Sequence, residues 1–163
     1  MLVFAAIAMA TTIRGTQGDD SLDGSVGTDS IVAGEGNDKI IAKNGNDTVG
    51  AQGGDDYVNG GRGNDAADGG LGNDRVTGKA DQDSLQGGDG ADFVAGGKNA
   101  DTLDGGPGDD TVKGRGDGKA ADEISCGDGT DTVKPGPNDT VTDGSCEIVE
   151  ETGKAKGPTT SLP

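Results

Sequence analysis

Histidine and tryptophan are absent from this 163-residue chain, which has one tyrosine, two phenylalanines and two cysteines. Without histidine the commonest general base is gone, and with it every HExxH-type metal site. Leu, Ile, Val and Phe together fall short of the roughly 20% below which a highly charged chain is expected to be disordered, so a conventional hydrophobic core is not on offer. Cations are scarce as well: 13 Lys and Arg stand against 30 Asp and Glu, a formal charge of −17. That imbalance speaks against a nucleic-acid partner and against an anionic membrane surface. Long apolar runs are also missing. The stretch Leu2 to Ala10 is too short to cross a bilayer, and it lacks a preceding basic region. It ends in Ala8-Met9-Ala10, a small-x-small pattern, and residues 1–10 are read as a signal peptide or its remnant.

What the chain does have is glycine, 34 residues of it, and carboxylates. So much glycine makes folding entropically expensive. A dense oxygen-only ligand set attracts a hard cation and suits calcium better than zinc or copper. The competing reading is a solvated, disordered acidic chain.

A repeat decides between the two. From Gly15 to Lys113 the sequence has a period of nine without slippage, in units such as GSVGTDSIV, AGEGNDKII and GGLGNDRVT. An insertion follows around Gly118 to Ala121, CGDGTDTVK then returns to register, and PGPNDTVT is one residue short, giving fourteen recognisable units. The sixth position is always aspartate: Asp20, Asp29, Asp38, Asp47, Asp56, Asp65, Asp74, Asp83, Asp92, Asp101, Asp110, Asp122, Asp131 and Asp139. Two residues later comes an apolar file, Leu22, Ile31, Ile40, Val49, Val58, Ala67, Val76, Leu85, Val94, Leu103, Val112, Ile124, Val133 and Val141. Mostly β-branched and flanked by polar neighbours, these residues are the inward-pointing centres of three-residue strands. A solvated chain has no reason for such regularity.

These units resemble the hemolysin-type, or RTX, calcium-binding nonapeptide G-G-x-G-x-D-x-U-x, over residues Gly15 to Thr142. The resemblance implies an all-β, right-handed parallel β-roll, a β-solenoid with two nonapeptides per coil, spanning residues 11–142. It also implies several bound Ca2+ ions, each held between turn loops one coil apart by main-chain carbonyls and by the fourteen aspartates named above. Residues eighteen apart then stack at about 4.8 Å, where two unit charges repel by roughly 0.9 kcal/mol even in water. A dozen such pairs reach on the order of 10 kcal/mol, comparable with the stability of an ordinary domain, so the ion is expected to be part of the fold.

Departures from the pattern are informative. Asp81 and Asn99 replace the fourth-position glycine and Lys79 the second, so the site shared by the loops Gly78 to Asp83 and Gly96 to Asp101 is expected to be weak or empty. Ala67 leaves a thin spot in the core, and the insertion is expected to bulge outward and disturb the sites that use Asp122. Cys126 and Cys146 are twenty residues apart, slightly more than one coil, which brings them within reach of a disulfide. Two unpaired buried thiols are the alternative, and a redox role lacks the CxxC spacing. The bridge would staple a capping segment, residues 143–152, ahead of a disordered polar tail, 153–163.

The TIRGT start and the CGDGTDTV and Cys146-Glu147 segments also resemble small exported calcium-binding repeat proteins of bacteria. That resemblance implies a secreted, extracellular protein whose partner is calcium. Enzyme activity is not expected, since the repeat already explains each carboxylate and no unit ends in the Gly-Lys-Ser/Thr of a P-loop. A monomer is expected, with no nucleic acid and no membrane insertion, and any protein or glycan partner is left open. The alternatives are a surface-adhesion module, possible as an ice binder only with a flat outward threonine array, and the calcium-folding tail of an exported hydrolase. The outward positions run Ser21, Ser30, Lys39, Thr48, Tyr57, Ala66, Arg75, Ser84 along the chain, which shows no such array.

Overall fold

The computed structural model describes residues 10–114, 120–143 and 146–148. Its strands are short and regularly spaced: β1 (Thr12–Arg14), β2 (Ser21–Asp23), β3 (Ser30–Glu35), β4 (Lys39–Asn44), β5 (Thr48–Gly53), β6 (Tyr57–Arg62), β7 (Ala66–Leu71) and β8 (Arg75–Ala80). They continue as β9 (Ser84–Asp89), β10 (Phe93–Gly97), β11 (Thr102–Asp104), β12 (Thr111–Lys113), β13 (Glu123–Ser125), β14 (Thr132–Lys134), β15 (Thr140–Val141) and β16 (Glu147–Ile148). Odd-numbered strands form one eight-stranded sheet and even-numbered strands another, both wholly parallel. Consecutive strands thus alternate between sheets, and two nonapeptides complete each coil of a parallel β-roll.

Register follows the repeat. Thr12 pairs with Ser30, Ser30 with Thr48 and Lys39 with Tyr57, each eighteen residues apart. Past β12 the pairs Thr102–Glu123 and Thr111–Thr132 are twenty-one apart, so the three inserted residues are absorbed between strands without a register slip. Of the insertion expected around Gly118 to Ala121 only 120 and 121 are described, so its expected outward bulge lies outside the described residues, as do residues 1–9 of the expected leader and the expected tail at 153–163; of the segment 143–152 only 143 and 146–148 are described.

The eighth-position file forms the core. Ile31, Ile40, Val49, Val58, Val76, Leu85, Val94, Leu103, Val112, Ile124 and Val133 are all buried, while Leu22 and Val141 at the ends are half-buried. Ala67, between Val49 and Leu85 in its sheet, is buried but leaves little bulk there. Two features extend beyond the repeat as read from the sequence. Ile13 pairs with Ile31 and packs against the core, so residues 11–14 are the second half of an earlier unit with Thr11 where aspartate would stand. At the other end, β16 pairs with β14, so the capping segment adds a strand to the sheet.

Sorting the outward residues by sheet corrects one reading. Along the chain the seventh positions look mixed, but topology places Thr12, Ser30, Thr48, Ala66, Ser84, Thr102, Glu123 and Thr140 in one exposed file of the odd sheet. This is a hydroxyl-rich file broken by Ala66 and Glu123. The even sheet collects Lys39, Tyr57, Arg75 and Phe93, with Arg75 and Lys113 stacked 4.1 and 4.7 Å from the Phe93 ring centre.

Candidate metal centre

Each sixth-position aspartate sits at the corner where the chain turns from one sheet to the other. The turn is tight because glycine takes up positive φ within it, for instance 142° at Gly90 and 144° at Gly108. Asp81 and Asn99, in place of that glycine, adopt φ of 77° and 73°, and Lys79 adopts 93°, so these units keep the turn.

The aspartates form two ladders, one along each edge of the roll. In each, the Oδ1 atom accepts the backbone N–H of the aspartate one coil earlier: Asp20 N–H donates to Asp38 at 2.7 Å, Asp38 to Asp56 at 2.7 Å and Asp56 to Asp74 at 2.7 Å. The opposite edge runs Asp29 to Asp47, Asp65, Asp83 and Asp101 at 2.7–2.9 Å. Asp101 donates to Asp122 at 2.9 Å and Asp110 to Asp131 at 2.9 Å, so the insertion leaves the ladder continuous. Its last rung, Asp122 to Asp139, is longer at 3.2 Å. The unit with Lys79 keeps its carboxylates in place too, since Asp83 accepts from Asp65 at 2.9 Å.

The second carboxylate oxygen is the chemically active one. The Oδ2 atoms of Asp38, Asp47, Asp56, Asp65, Asp74, Asp83, Asp92, Asp110 and Asp131 are buried with no hydrogen-bond partner among the described residues. Buried carboxylate oxygens without partners are costly, and each calls for an ion or a proton. Main-chain oxygens share the same corners. A Cβ on Gly87 would lie 2.5 Å from Asp92 Oδ2 and 2.5 Å from Gly105 O; one on Gly105 would lie 2.5 Å from Asp110 Oδ2 and 2.4 Å from Cys126 O. At these two units first-position glycine is therefore what leaves room for oxygens from two successive coils to converge, whereas Ala33, Ala42, Ala51 and Cys126 fill the first position of their units and join the core. Among the described residues no three acidic or cysteine side chains cluster, so a cation held here takes most of its ligands from the backbone. An all-oxygen set rich in carbonyls fits calcium.

Electrostatics separate the middle of the roll from its start. Burial, reinforced by neighbouring carboxylates, pushes Asp74 and Asp83 up to about 7 and Asp56, Asp65 and Asp110 to about 6; Asp47 and Asp92 are also raised by burial. Asp29 goes the other way. Burial raises it, but hydrogen bonds from the Thr11 hydroxyl and the backbone of Ser25 and Thr11 outweigh this and hold it at about 2. Its partners supply what an ion supplies elsewhere. Asp20, at the outer end of the other ladder, likewise accepts from Thr16 N at 2.6 Å, and Asp139 from Gly136 N at 2.5 Å.

A second ladder was not legible as such in the repeat. Fifth-position side chains also bond from coil to coil, but in the reverse sense: Asn37 N–H donates back to Asp19 Oδ1 at 2.8 Å, Asp55 to Asn37 at 3.0 Å, Asn73 to Asp55 at 2.8 Å and Ala91 to Asn73 at 2.9 Å. The signal available in the sequence was the recurrence of Asp and Asn at a position the nonapeptide pattern leaves free.

At the C-terminal end Cys126, fully buried in the first-position file, is bridged to Cys146 with a Cα separation of 5.6 Å. Asp143 Oδ2 closes the last turn by accepting from Cys126 N at 2.9 Å and Gly127 N at 3.0 Å.

The sequence matches the family model of the RTX calcium-binding nonapeptide repeat (4 copies) at residues 9–40, 32–67, 68–103, 86–118 and 96–133. No curated protein matches it.

Proposed function

The chain belongs to the RTX calcium-binding nonapeptide repeat family, and from that premise we propose an exported, non-catalytic protein whose β-roll folds on binding several calcium ions. The observation that carries this reading is the column of buried, partnerless Oδ2 atoms beside main-chain oxygens. On this reading Asp38, Asp56, Asp74, Asp92, Asp110 and Asp131 would hold ions along one edge, and Asp47, Asp65, Asp83, Asp101 and Asp122 along the other, the site shared by Asp83 and Asp101 being the weaker for Lys79, Asp81 and Asn99. Asp20, Asp29 and Asp139, already bonded within the chain, are the weakest ligands. Bound calcium supplies positive charge that neutralises stacked carboxylates and fills their vacant coordination.

Export fits the same physics. At low internal calcium the stacked charges oppose the coil and keep the chain extended; millimolar external calcium folds it. A leader at residues 1–10 and a Cys126–Cys146 bridge both suit an oxidising destination. The buried sixth-position carboxylates are taken up as ligands or by the chain's own donors, which leaves none of them free as an acid–base pair for catalysis.

Circular dichroism of the full chain, recorded with chelator and after calcium is restored, tests the reading. Strand signal that appears only with calcium is expected; strand signal indifferent to chelation at neutral pH overturns it.

A further inference from the structure

The net charge of −17 conceals a division of the surface. The edge where the chain passes from the even to the odd sheet carries Lys43, Arg62, Lys79 and Lys98, all exposed and one to a coil on four consecutive coils. The opposite edge carries Asp19, Glu35, Asp55, Asp89, Asp109 and Asp128, also exposed, with one acid on each coil except that of Leu71. Lys43 reaches Asp23 at 3.4 Å, the only ion pair between described residues, and beside the buried sixth-position aspartates Asp81 is the one exposed acid in the turns of these four cations. Arg62, Lys79 and Lys98 have no acidic partner among the described residues.

Two further observations mark these edges as contact surfaces. Lys43 and Lys79 stand at φ of 84° and 93°, in a file where Gly61 and Gly97 hold 117° without strain. Lysine stands there against the backbone's preference, and such strained positions cluster at functional sites. On the acidic edge the one comparable departure is the uncharged Gln52, at 85°. Moreover, among the described residues the two exposed large hydrophobic side chains lie one on each edge, Val26 at 57% and Leu71 at 59% exposure. Val26 stands one coil before Lys43, and Leu71 fills the one coil of the acidic edge that lacks an exposed acid.

We propose that the basic edge docks the acidic edge of a second copy of this chain. Both edges are generated by the same coil, so their charges have the same spacing of about 4.8 Å and match over any length. Setting Val26 against Leu71 fixes the register. In the parallel orientation Lys43, Arg62 and Lys79 then face Asp89, Asp109 and Asp128; in the antiparallel one they face Asp55, Glu35 and Asp19. Either direction gives three of the four cations an acid, leaving Lys98 beyond the acidic file. Because the two edges are different surfaces on opposite sides, the contact is heterologous and leaves a free edge on each copy, so further copies add side by side. The proposal departs from the single-chain state read from the sequence, and it rests on the calcium-folded coil.

Sedimentation velocity of the calcium-loaded full chain, with dichroism run on each sample, tests it. Association is expected at low ionic strength and its loss at about 0.5 M salt, where the Debye length falls to about 4 Å. Reversing the basic edge (Arg62→Glu, Lys79→Glu, Lys98→Glu) or the acidic edge (Glu35→Lys, Asp55→Lys, Asp89→Lys) is expected to leave each variant monomeric, while a mixture of the two associates again. Leu71→Asp is expected to weaken association at least tenfold. The pair Lys43→Gly and Lys79→Gly, which relieves backbone strain and so keeps the fold, is expected to do the same. A wild type monomeric at low salt, unaltered association in the reversed variants, or a mixture that stays apart with calcium-loaded dichroism intact overturns the proposal. So does a monomeric wild type that instead binds a polyuronate chain through the basic edge. Loss of strand signal in calcium would count against the folding reading, which keeps the two failures distinct.

Discussion

Asp29 and Asp74 occupy the same position of the same repeat and have opposite chemistry. Asp29, near the start of the roll, accepts hydrogen bonds from Thr11 and Ser25 and is held at about 2. Asp74, in the middle, has a buried oxygen with no partner and is pushed up to about 7. A repeat motif therefore specifies where a carboxylate goes and leaves its energetics to its neighbours. At the ends, where the ladder runs out, the chain supplies its own donors; in the middle, each carboxylate meets another carboxylate one coil away and needs a cation.

The largest expected effect is calcium removal. At pH 7.5 chelation is expected to abolish the strand signal, because the middle coils lose the charge that holds them; a protease digest would then find cleavage throughout the repeats, with no surviving core. Reducing the disulfide, or Cys146→Ser, is expected to lower the stability of the calcium-loaded roll by about 3 kcal/mol for a loop of this length, read from denaturant midpoints. A calcium stoichiometry unchanged by reduction would confine the bridge's role to the end.

Two substitutions separate the regions directly. Asp74→Asn or Asp83→Asn is expected to lower the number of ions bound, measured by titration calorimetry. Asp29→Asn is expected to keep the stoichiometry and to cost about 1.5–3 kcal/mol in the loaded protein, the worth of hydrogen bonds to a charged group. If Asp29→Asn removed an ion instead, the division between end and middle would fail.

The smallest expected effect concerns pH. Asp74 and Asp83 bind protons more tightly in the coil, at about 7, than in the unfolded chain near 3.8. Their penalty on the ion-free coil is thus absent below about pH 4 and grows as pH rises through 7. Lowering the pH of chelated protein from 7.5 to 5 is expected to restore part of the strand signal, while weakening calcium binding in the loaded form. Asp29, lowered to about 2, moves oppositely and loses its contribution only in strong acid.

Coil geometry was legible in the sequence because the resemblance supplies two units per coil, and period nine then stacks Asp20 on Asp38 and Ile31 on Val49. Departures at Asp81 and Asn99 were also legible, since both residue types tolerate positive φ. What the linear order hid was anything that alternates. Ser30, Lys39, Thr48 and Tyr57 read as a mixture, yet belong to two faces of different character. The cations of the basic edge were hidden the same way, spread over four units and dispersed in an acidic total. Thr11 was hidden for another reason: it is the one sixth-position residue that is not aspartate, and only its bonds to Asp29 show why.

The two hydrogen-bonded ladders, sixth-position bonds pointing forward along the chain and fifth-position bonds pointing back, make the roll a directional object, like an arrow. Reversing the chain would exchange donor for acceptor in both files at once, so the sense of these bonds records, coil by coil, which way the chain runs through the roll.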